Sequence, residues 1–94
     1  MHNPLIGRRV LVRTYSAGVH IGTLVSADGM DAHLKDALRL WRWRGGGLSL
    51  SAVATNGIER GRLNRTPEIV LTNCIEFIPT TKDAEASFER FIED

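Results

Sequence analysis

The sequence predicts an α+β fold: a small antiparallel β-sheet domain with a short middle helix and a C-terminal helix. Three observations support this prediction. Apolar and polar residues alternate in several short segments, small or glycine-containing turns separate these segments, and a serine and a threonine suited to helix capping precede the two helical segments. A chain of 94 residues fits one domain, with a loose N-terminal arm (1–5), a sheet-rich core (6–80) and a C-terminal helix (81–94).

The strand and helix signals can be placed along the chain. The predicted strands cover residues 8–14, 19–27, 30–34, 37–44 and 68–79, and the predicted helices cover residues 48–54 and 81–94. Small residues favour a tight turn between the first two strands, and Asp28-Gly29 is a strong hairpin signal before the third. The polar, arginine-rich residues 56–67 are predicted to form a loop, and the last strand is predicted to bend near Asn73.

Two polar residues predict where the helices begin. Ser49 is a plausible N-cap for the middle helix, which ends near Gly57. Thr81 is the predicted N-cap of the C-terminal helix, whose apolar face contains Phe88 and the apolar residues that follow it at helical spacing, Phe91 and Ile92.

The charge of the chain is unevenly distributed. The formal net charge is only +1, but residues 1–65 carry ten basic against four acidic side chains, and residues 66–94 carry two basic against seven acidic ones. A basic region in a chain that is not basic overall suits a compact anionic ligand better than a long polyanion, because non-specific affinity for nucleic acid scales with the number of phosphates neutralised. The alternative is that the arginines reflect base composition and the acids merely solvate a terminal helix.

Cysteine usage and hydropathy suggest the compartment. A single cysteine, Cys74, excludes an internal disulfide and fits a reducing cytoplasm. No leader and no apolar run of about 18 residues is evident, so we expect neither secretion nor a membrane location. A chain this short has a small core, and a homo-oligomer, at least a dimer, is expected to add to it.

No enzymatic or metal site is predicted. His2, His20, His33 and Cys74 show no spacing suited to zinc, and the serines lack the context of a catalytic nucleophile. The glycines of residues 45–47 lack the Lys-Ser/Thr of a phosphate-binding loop. The sequence therefore favours a binding module without cofactor.

Arginines and aromatic residues next to glycines suggest the ligand of such a module. Arginine binds phosphate through a planar fork of donors, and tryptophan offers a flat surface on which a base can stack. Arg13 and His20 flank the first turn, where both could face one anion. Arg39, Trp41 and Trp43 alternate along one strand and are predicted to share one face, with Arg42 on the other. Trp41 and Trp43 could equally belong to the core or to a subunit interface, and the arginines at 60, 62 and 65 to a solvated surface.

Asn73 is a polar residue in an otherwise apolar predicted strand. A buried amide must be hydrogen-bonded, either to the backbone or to the base or ribose of a ligand. Asn73 is therefore a candidate ligand-binding residue.

Several motifs together resemble a set of small phage and prophage proteins. These proteins share a Val-X-Arg strand, a Ser-Gly-Val-X-X-Gly-Thr-Leu turn and strand, an Arg-Leu-Trp-Tyr-Trp strand and a final strand ending Ile-Glu-Ile-Ile-Pro. The present chain has RTYSAGVHIGTL from Arg13, RLWRW from Arg39 and IEFIP from Ile75, so that the resemblance covers residues 6–80. Arg42 stands where the relatives usually have tyrosine.

The resemblance extends to the phage anti-defence sponges that block the Thoeris immune system. It implies a protein that sequesters a cyclic ADP-ribose-type signal, and in some members cyclic oligonucleotides, without cleaving it, and that acts in the cytoplasm of the host bacterium. The implied ligand-binding residues are Arg13 and Asn73, with Arg39 and Arg90 as weaker matches. An aromatic residue that precedes the last strand in relatives is replaced here by Leu63 or is absent, which would lower base affinity by about 1–3 kcal/mol.

Two other functions remain open at this stage. A small nucleic-acid-binding domain would present Arg8, Arg9, Arg13, Arg42 and Arg44 to a phosphate backbone. A phage assembly adaptor would instead dock a partner protein on Trp41 and Trp43.

Overall fold

The computed structural model describes residues 3–47 and 49–93, so the parts of our predictions that fall on Met1, His2, Leu48 and Asp94 lie outside the described residues. In chain order the elements are β1 (Arg9–Thr14), β2 (Val19–Asp28), β3 (Asp31–Arg44), α1 (Leu50–Asn56), β4 (Arg60–Leu71), β5 (Cys74–Pro79) and α2 (Lys82–Glu89). The predicted α+β fold, an antiparallel sheet with one short middle helix and one C-terminal helix, is confirmed.

The sheet is rolled up at one end. Its strand order is β4-β3-β2-β1-β5, so β4 and β5 lie at opposite edges, yet only residues 72 and 73 separate them in the chain. In a flat sheet the edges would be about 19 Å apart, whereas the three Cα steps from Leu71 to Cys74 span at most about 11 Å. The sheet therefore curls, and the N–H of Cys74 donates to the C=O of Met30 (2.8 Å) at the tip of the β2–β3 hairpin.

The curled sheet has an apolar core on each side. We call the side covered by α1 and α2 the helix face; it contains Leu11, Ile21, Leu38, Leu40 and Leu63, packed against helix residues such as Val53 and Phe88. We call the opposite side the concave face; it contains Val10, Val12, Leu24, Leu34 and Cys74. Because a core lies on each face, β1 and the first half of β2 are buried or half-buried at nearly every position.

The first hairpins follow the sequence prediction. β1 begins one residue later than predicted and β2 extends one residue further, to Asp28. Asp28 pairs with Asp31, so that Gly29 and Met30 form a two-residue loop, and Gly29 has the positive φ (59°) that such a loop requires.

The predicted third and fourth strands are one continuous strand, β3, of 14 residues. The interruption expected from the weakly β-prone residues 30–37 is only a local kink at Asp36, which is an extra residue relative to β2 and has φ 48°. Pairing with β2 on one side and β4 on the other supports the segment and overrides its propensity.

The loop predicted for residues 56–67 is also wrong, because β4 begins at Arg60 and pairs with β3 from Arg44↔Arg60 to Ala32↔Leu71. The predicted single strand over residues 68–79 is split between β4 and β5 by the turn that contains Asn73. Most side chains in the first half of β4 are polar, which weakens the apolar alternation on which the sequence prediction depended.

Both predicted helix caps are present. The Ser49 side chain accepts from the N–H of Ala52 (3.2 Å) and the Thr81 side chain from that of Ala84 (3.1 Å). α2 ends at Glu89 rather than reaching residue 94, and Ile92 instead forms a parallel bridge with Leu63 on β4. An unpaired edge strand offers backbone groups that the last residues use in place of further helix.

The N-terminal residues described by the structure are folded. The Asn3 side chain accepts from the N–H of Leu5 (2.8 Å), and Leu5 and Ile6 pack against the concave core. The predicted loose arm therefore does not apply to residues 3–5.

Candidate functional site

The paired ends of β3 and β4, which we call the β3–β4 ribbon, extend beyond the start of β2 and carry the densest positive charge. Leu40 pairs with Leu63, but Arg42 pairs with Arg62, so Trp41 is an extra residue that forms a bulge. Since Leu63 and Arg62 are consecutive, Leu40 and Arg42 lie on opposite faces of the sheet.

The bulge places the two tryptophans on opposite faces of the sheet. Trp43 pairs with Gly61, whose missing Cβ would lie 2.6 Å from the Ile58 side chain in the helix-face core, so Trp43 lies on the helix face. Trp41 contacts Arg62 and lies on the concave side. The prediction that Trp41 and Trp43 share one face, with Arg42 on the other, is therefore wrong.

The same pairing places several arginines close together on the concave side of the β3–β4 ribbon. Arg39 pairs with Asn64, Arg42 with Arg62 and Arg44 with Arg60. We call this surface the basic face; its members are Arg39, Trp41, Arg42, Arg44, Arg60, Arg62 and Asn64.

Two arginine pairs on the basic face lie directly opposite each other across the strands, Arg42 with Arg62 and Arg44 with Arg60. Like charges in directly opposed positions destabilise a sheet. Among the described residues, a counter-ion is found for Arg62 alone of these four: its Nε and Nη2 donate to the two carboxylate oxygens of Glu93 at 2.8 and 3.1 Å. Within residues 3–47 and 49–93, no carboxylate forms an ion pair with the other arginines of this face.

Trp41 is the aromatic residue of the basic face. Its side chain is half exposed, and the Arg62 guanidinium lies over its ring at 4.2 Å from the centroid. Hydrogen bonding to Glu93 raises the pKa of Arg62 and, reciprocally, hydrogen bonding to Arg62 lowers the pKa of Glu93. Glu93, Arg62 and Trp41 thus form one chain of contacts.

An open groove of about 680 Å³ runs around the end of the ribbon. It is lined by Arg42, Trp43, Arg44, Arg60, Gly61, Arg62 and Phe91. Its size would admit a nucleotide, and its walls offer guanidinium donors and aromatic rings.

His20 lies beside the basic face but is fully buried. It pairs across the sheet with Arg39, and its Nε2 lies 2.9 Å from the C=O of Ala17, which requires a proton on that nitrogen. Nδ1 is buried without a partner. Burial lowers the pKa of His20. The hydrogen bond to Ala17 raises the pKa and the positive charge of Arg39 lowers it further, but burial has the largest effect, so the ring is neutral near pH 7.

The predicted common anion site of Arg13 and His20 is not formed within one chain. Arg13 pairs with Val19 and His20 with Val12, so the two side chains lie on opposite faces of the sheet. Arg13 forms an ion pair with Glu76 instead (3.2 Å).

Asn73 lies in the turn between β4 and β5, not within a strand. Its Nδ2 donates to Oγ of Ser16 (2.7 Å), and its C=O accepts from the N–H of Tyr15 (2.9 Å). The requirement for a hydrogen bond is thus met by the neighbouring β1–β2 turn. Arg90 is the C-cap of α2, and its guanidinium lies 5.8 Å from the centroid of the Phe91 ring.

Of the six predicted site residues, the structure groups His20, Arg39 and Trp41, places Arg13 and Asn73 elsewhere, and places Arg90 over the ring of Phe91, which lines the groove. The sequence analysis missed Arg60 and Arg62 as site residues because it assigned them to a loop. The period-two pattern Arg60-Gly61-Arg62-Leu63-Asn64, with polar residues on one side and Leu63 on the other, could have identified the strand.

Comparison with known proteins gives a family but no function. A family model described as a domain of unknown function (DUF6948) matches residues 7–88, and the chain belongs to this family. No curated protein and no solved structure matches the chain. Neither helix in the described part of the chain has the length and apolar character needed to cross a membrane. Nor do residues 3–47 and 49–93 contain a cluster of three or more side chains suited to holding a metal ion.

Proposed function

We propose that this DUF6948 protein is a non-catalytic binding module whose basic face holds the phosphates of single-stranded nucleic acid. The proposal depends on one observation: two arginines of β3 lie directly opposite two arginines of β4, Arg42 opposite Arg62 and Arg44 opposite Arg60. A phosphate between opposed guanidinium groups replaces their repulsion with charge-assisted hydrogen bonds. Departures from local stability rules of this kind are expected at functional sites.

The shape of the basic face supports a chain-like ligand. Arginines two positions apart on one strand are about 7 Å apart along it, and Arg42 and Arg44 continue the line of Arg39 along β3. The groove at the end of the ribbon is open, whereas tight capture of a small molecule requires burial of most of its surface. An extended backbone can contact several arginines of an open face at once.

Trp41 supports a ligand that also carries bases. Half of its side chain is exposed even though Arg62 lies over the ring. Base stacking on an exposed aromatic ring is tolerant of sequence and is characteristic of single-strand binding. The combination of guanidinium groups that no described carboxylate neutralises and an exposed indole therefore favours nucleic acid over simple polyanions.

A second candidate is the capture of a cyclic nucleotide, as the resemblance to the anti-Thoeris sponges implies. It is supported by the grouping of His20, Arg39 and Trp41 within a small area of a chain whose net charge is only +1. Because the basic face is open in one copy, this function requires a second copy to cover the ligand. The homo-oligomer predicted from the sequence thus belongs to this candidate.

The test uses purified full-length protein, a fluorescent 12-nucleotide oligothymidine measured by anisotropy, and cyclic ADP-ribose and cyclic dinucleotides measured by calorimetry. The variant Arg44→Ala/Arg60→Ala removes two charges from the basic face. Its matched control, Arg8→Ala/Arg13→Ala, removes two exposed arginines outside that face.

Single-strand binding predicts that Arg44→Ala/Arg60→Ala weakens oligothymidine binding at least tenfold. The slope of log K against log salt concentration should become less negative by about 1.4, because two phosphate contacts are lost. The control should retain most of the affinity. Equal losses in the two variants would show binding to overall charge and contradict a specific face. Cyclic-nucleotide binding that is lost in Arg8→Ala/Arg13→Ala would favour the second candidate. If the wild-type protein binds none of these probes, both candidates are overturned.

A further inference from the structure

The last described residues cross the edge of the sheet next to the basic face. After α2 ends at Glu89, the N–H of Leu63 donates to the C=O of Phe91 (3.3 Å), and the N–H of Glu93 donates to the C=O of Leu63 (2.6 Å). Phe91 and Ile92 pack against the helix-face core. This places the Glu93 carboxylate at the Arg62 guanidinium.

The contact has the geometry of phosphate recognition. Two parallel N–H···O bonds join Arg62 to both oxygens of the carboxylate, the arrangement that arginine also uses for phosphate. The anion is held beside Trp41, on which Arg62 is stacked. The position next to a stacking ring is where a nucleotide ligand would bring its phosphate.

We propose that the Glu93 carboxylate occupies a phosphate position of the basic face and that the phosphate of a bound nucleic acid displaces it. This inference rests on the proposed function. The C-terminal segment thereby regulates the face: Glu93 neutralises Arg62, one member of an opposed pair, and leaves Arg44 and Arg60 to make the first contact with the ligand.

The structure allows this exchange without unfolding. Both Arg62 and Glu93 are about half exposed, so their ion pair is screened by solvent and is weak. The apolar anchors Phe91 and Ile92 precede the carboxylate in the chain and are not part of the ion pair. A rotation of the Glu93 side chain is sufficient to expose the Arg62 donors while the segment stays in place.

The test compares Glu93→Gln with the matched control Glu89→Gln. Both variants remove one negative charge. Glu89 pairs with Arg65 (3.6 Å), and Arg65 lies opposite Leu38 on the helix face, so this ion pair lies outside the basic face. At low ionic strength Glu93→Gln should raise the affinity for oligothymidine about two- to fivefold, and Glu89→Gln should leave it nearly unchanged. Equal effects of the two variants, or weaker binding of Glu93→Gln, would overturn the inference.

A second measurement reports displacement directly. In the free protein, NMR titration of the Glu93 carboxyl should give a pKa below its ordinary value, because Arg62 donates to it. With saturating oligothymidine the pKa should return towards the ordinary value, and a pKa that stays low in the complex would overturn the inference. If neither the wild-type protein nor Glu93→Gln binds oligothymidine, the proposed function itself fails; if the wild type binds and the variants do not differ, only this inference fails.

Discussion

Arg44 and Arg60 lie directly opposite each other at the end of the β3–β4 ribbon, and no described carboxylate forms an ion pair with either. Their repulsion is a cost to folding that a bound anion would remove. The pair therefore links stability and binding, and both can be measured on the same variants.

Arg60→Gln is expected to stabilise the protein while it weakens ligand binding. Removing one member of an opposed like-charge pair should raise the free energy of unfolding by about 0.2–1 kcal/mol, which corresponds to about 1–6 °C in Tm for a domain of this size. Thermal unfolding at low and high salt measures this, and the gain should shrink at high salt because the repulsion is screened.

The control for this prediction is Arg62→Gln. It also removes a charge from an opposed pair, but it gives up the Glu93 ion pair and the stack on Trp41, so no gain in Tm is expected. An equal gain in both variants would show that overall charge, not the unpaired Arg44–Arg60 contact, sets the stability.

Trp41→Ala should weaken binding of the oligonucleotide by about 1–3 kcal/mol, because it removes the surface on which a base stacks. The change in Tm should be small, since the side chain is 50% exposed. Tyr15→Ala is the comparison: Tyr15 is also exposed but lies in the β1–β2 turn outside the basic face, and its loss should not reduce binding. Circular dichroism confirms folding of each variant. Undiminished binding by Trp41→Ala would contradict the stacking role.

Stability should fall on acidification because of His20. Its pKa is lowered in the folded protein relative to 6.5, so the unfolded state binds a proton more readily. The contribution to stability is complete above pH 6.5 and is lost as the pH falls from there towards the folded pKa, with a limiting slope of about 1.4 kcal/mol per pH unit. Urea unfolding between pH 8 and pH 5 measures the slope.

A His20→Gln variant should show a smaller slope than the wild type over the same range. His33 is the other described histidine and contacts Glu68 (2.8 Å), so His33→Gln serves as the control and should leave the His20 contribution in place. The same slope in wild type and His20→Gln would exclude His20 as the source.

Ser87→Ala should destabilise the protein by about 1–3 kcal/mol, because it leaves a buried donor without an acceptor. The Ser87 Oγ accepts from the N–H of Ile58 (3.0 Å) and donates to the C=O of Ala84 (2.6 Å), and so ties α2 to the chain entering β4. Ser26→Ala, at an exposed position of β2, is the control and should be nearly neutral. Chemical denaturation of both variants measures the difference.

The sequence by itself determined the elements that depend on local chemistry. The caps at Ser49 and Thr81, the glycine loop after Asp28 and the alternation of the first two strands are encoded within a few neighbouring residues, and each is present in the structure. The α+β class follows from these signals alone. Arg39 and Trp41 were identified as candidates because arginine binds phosphate and tryptophan offers a surface on which a base can stack.

Only the tertiary structure decided which residues share a surface. Residues 60–67 became a strand because β3 offered a partner, and a single extra residue at Trp41 changed the face of every side chain that follows it on β3. Pairing across strands depends on contacts between residues distant in the chain, and a bulge leaves no mark in local composition. For this reason the opposed arginines Arg44 and Arg60, and the contact of Glu93 with Arg62, became visible only once the register of the sheet was known.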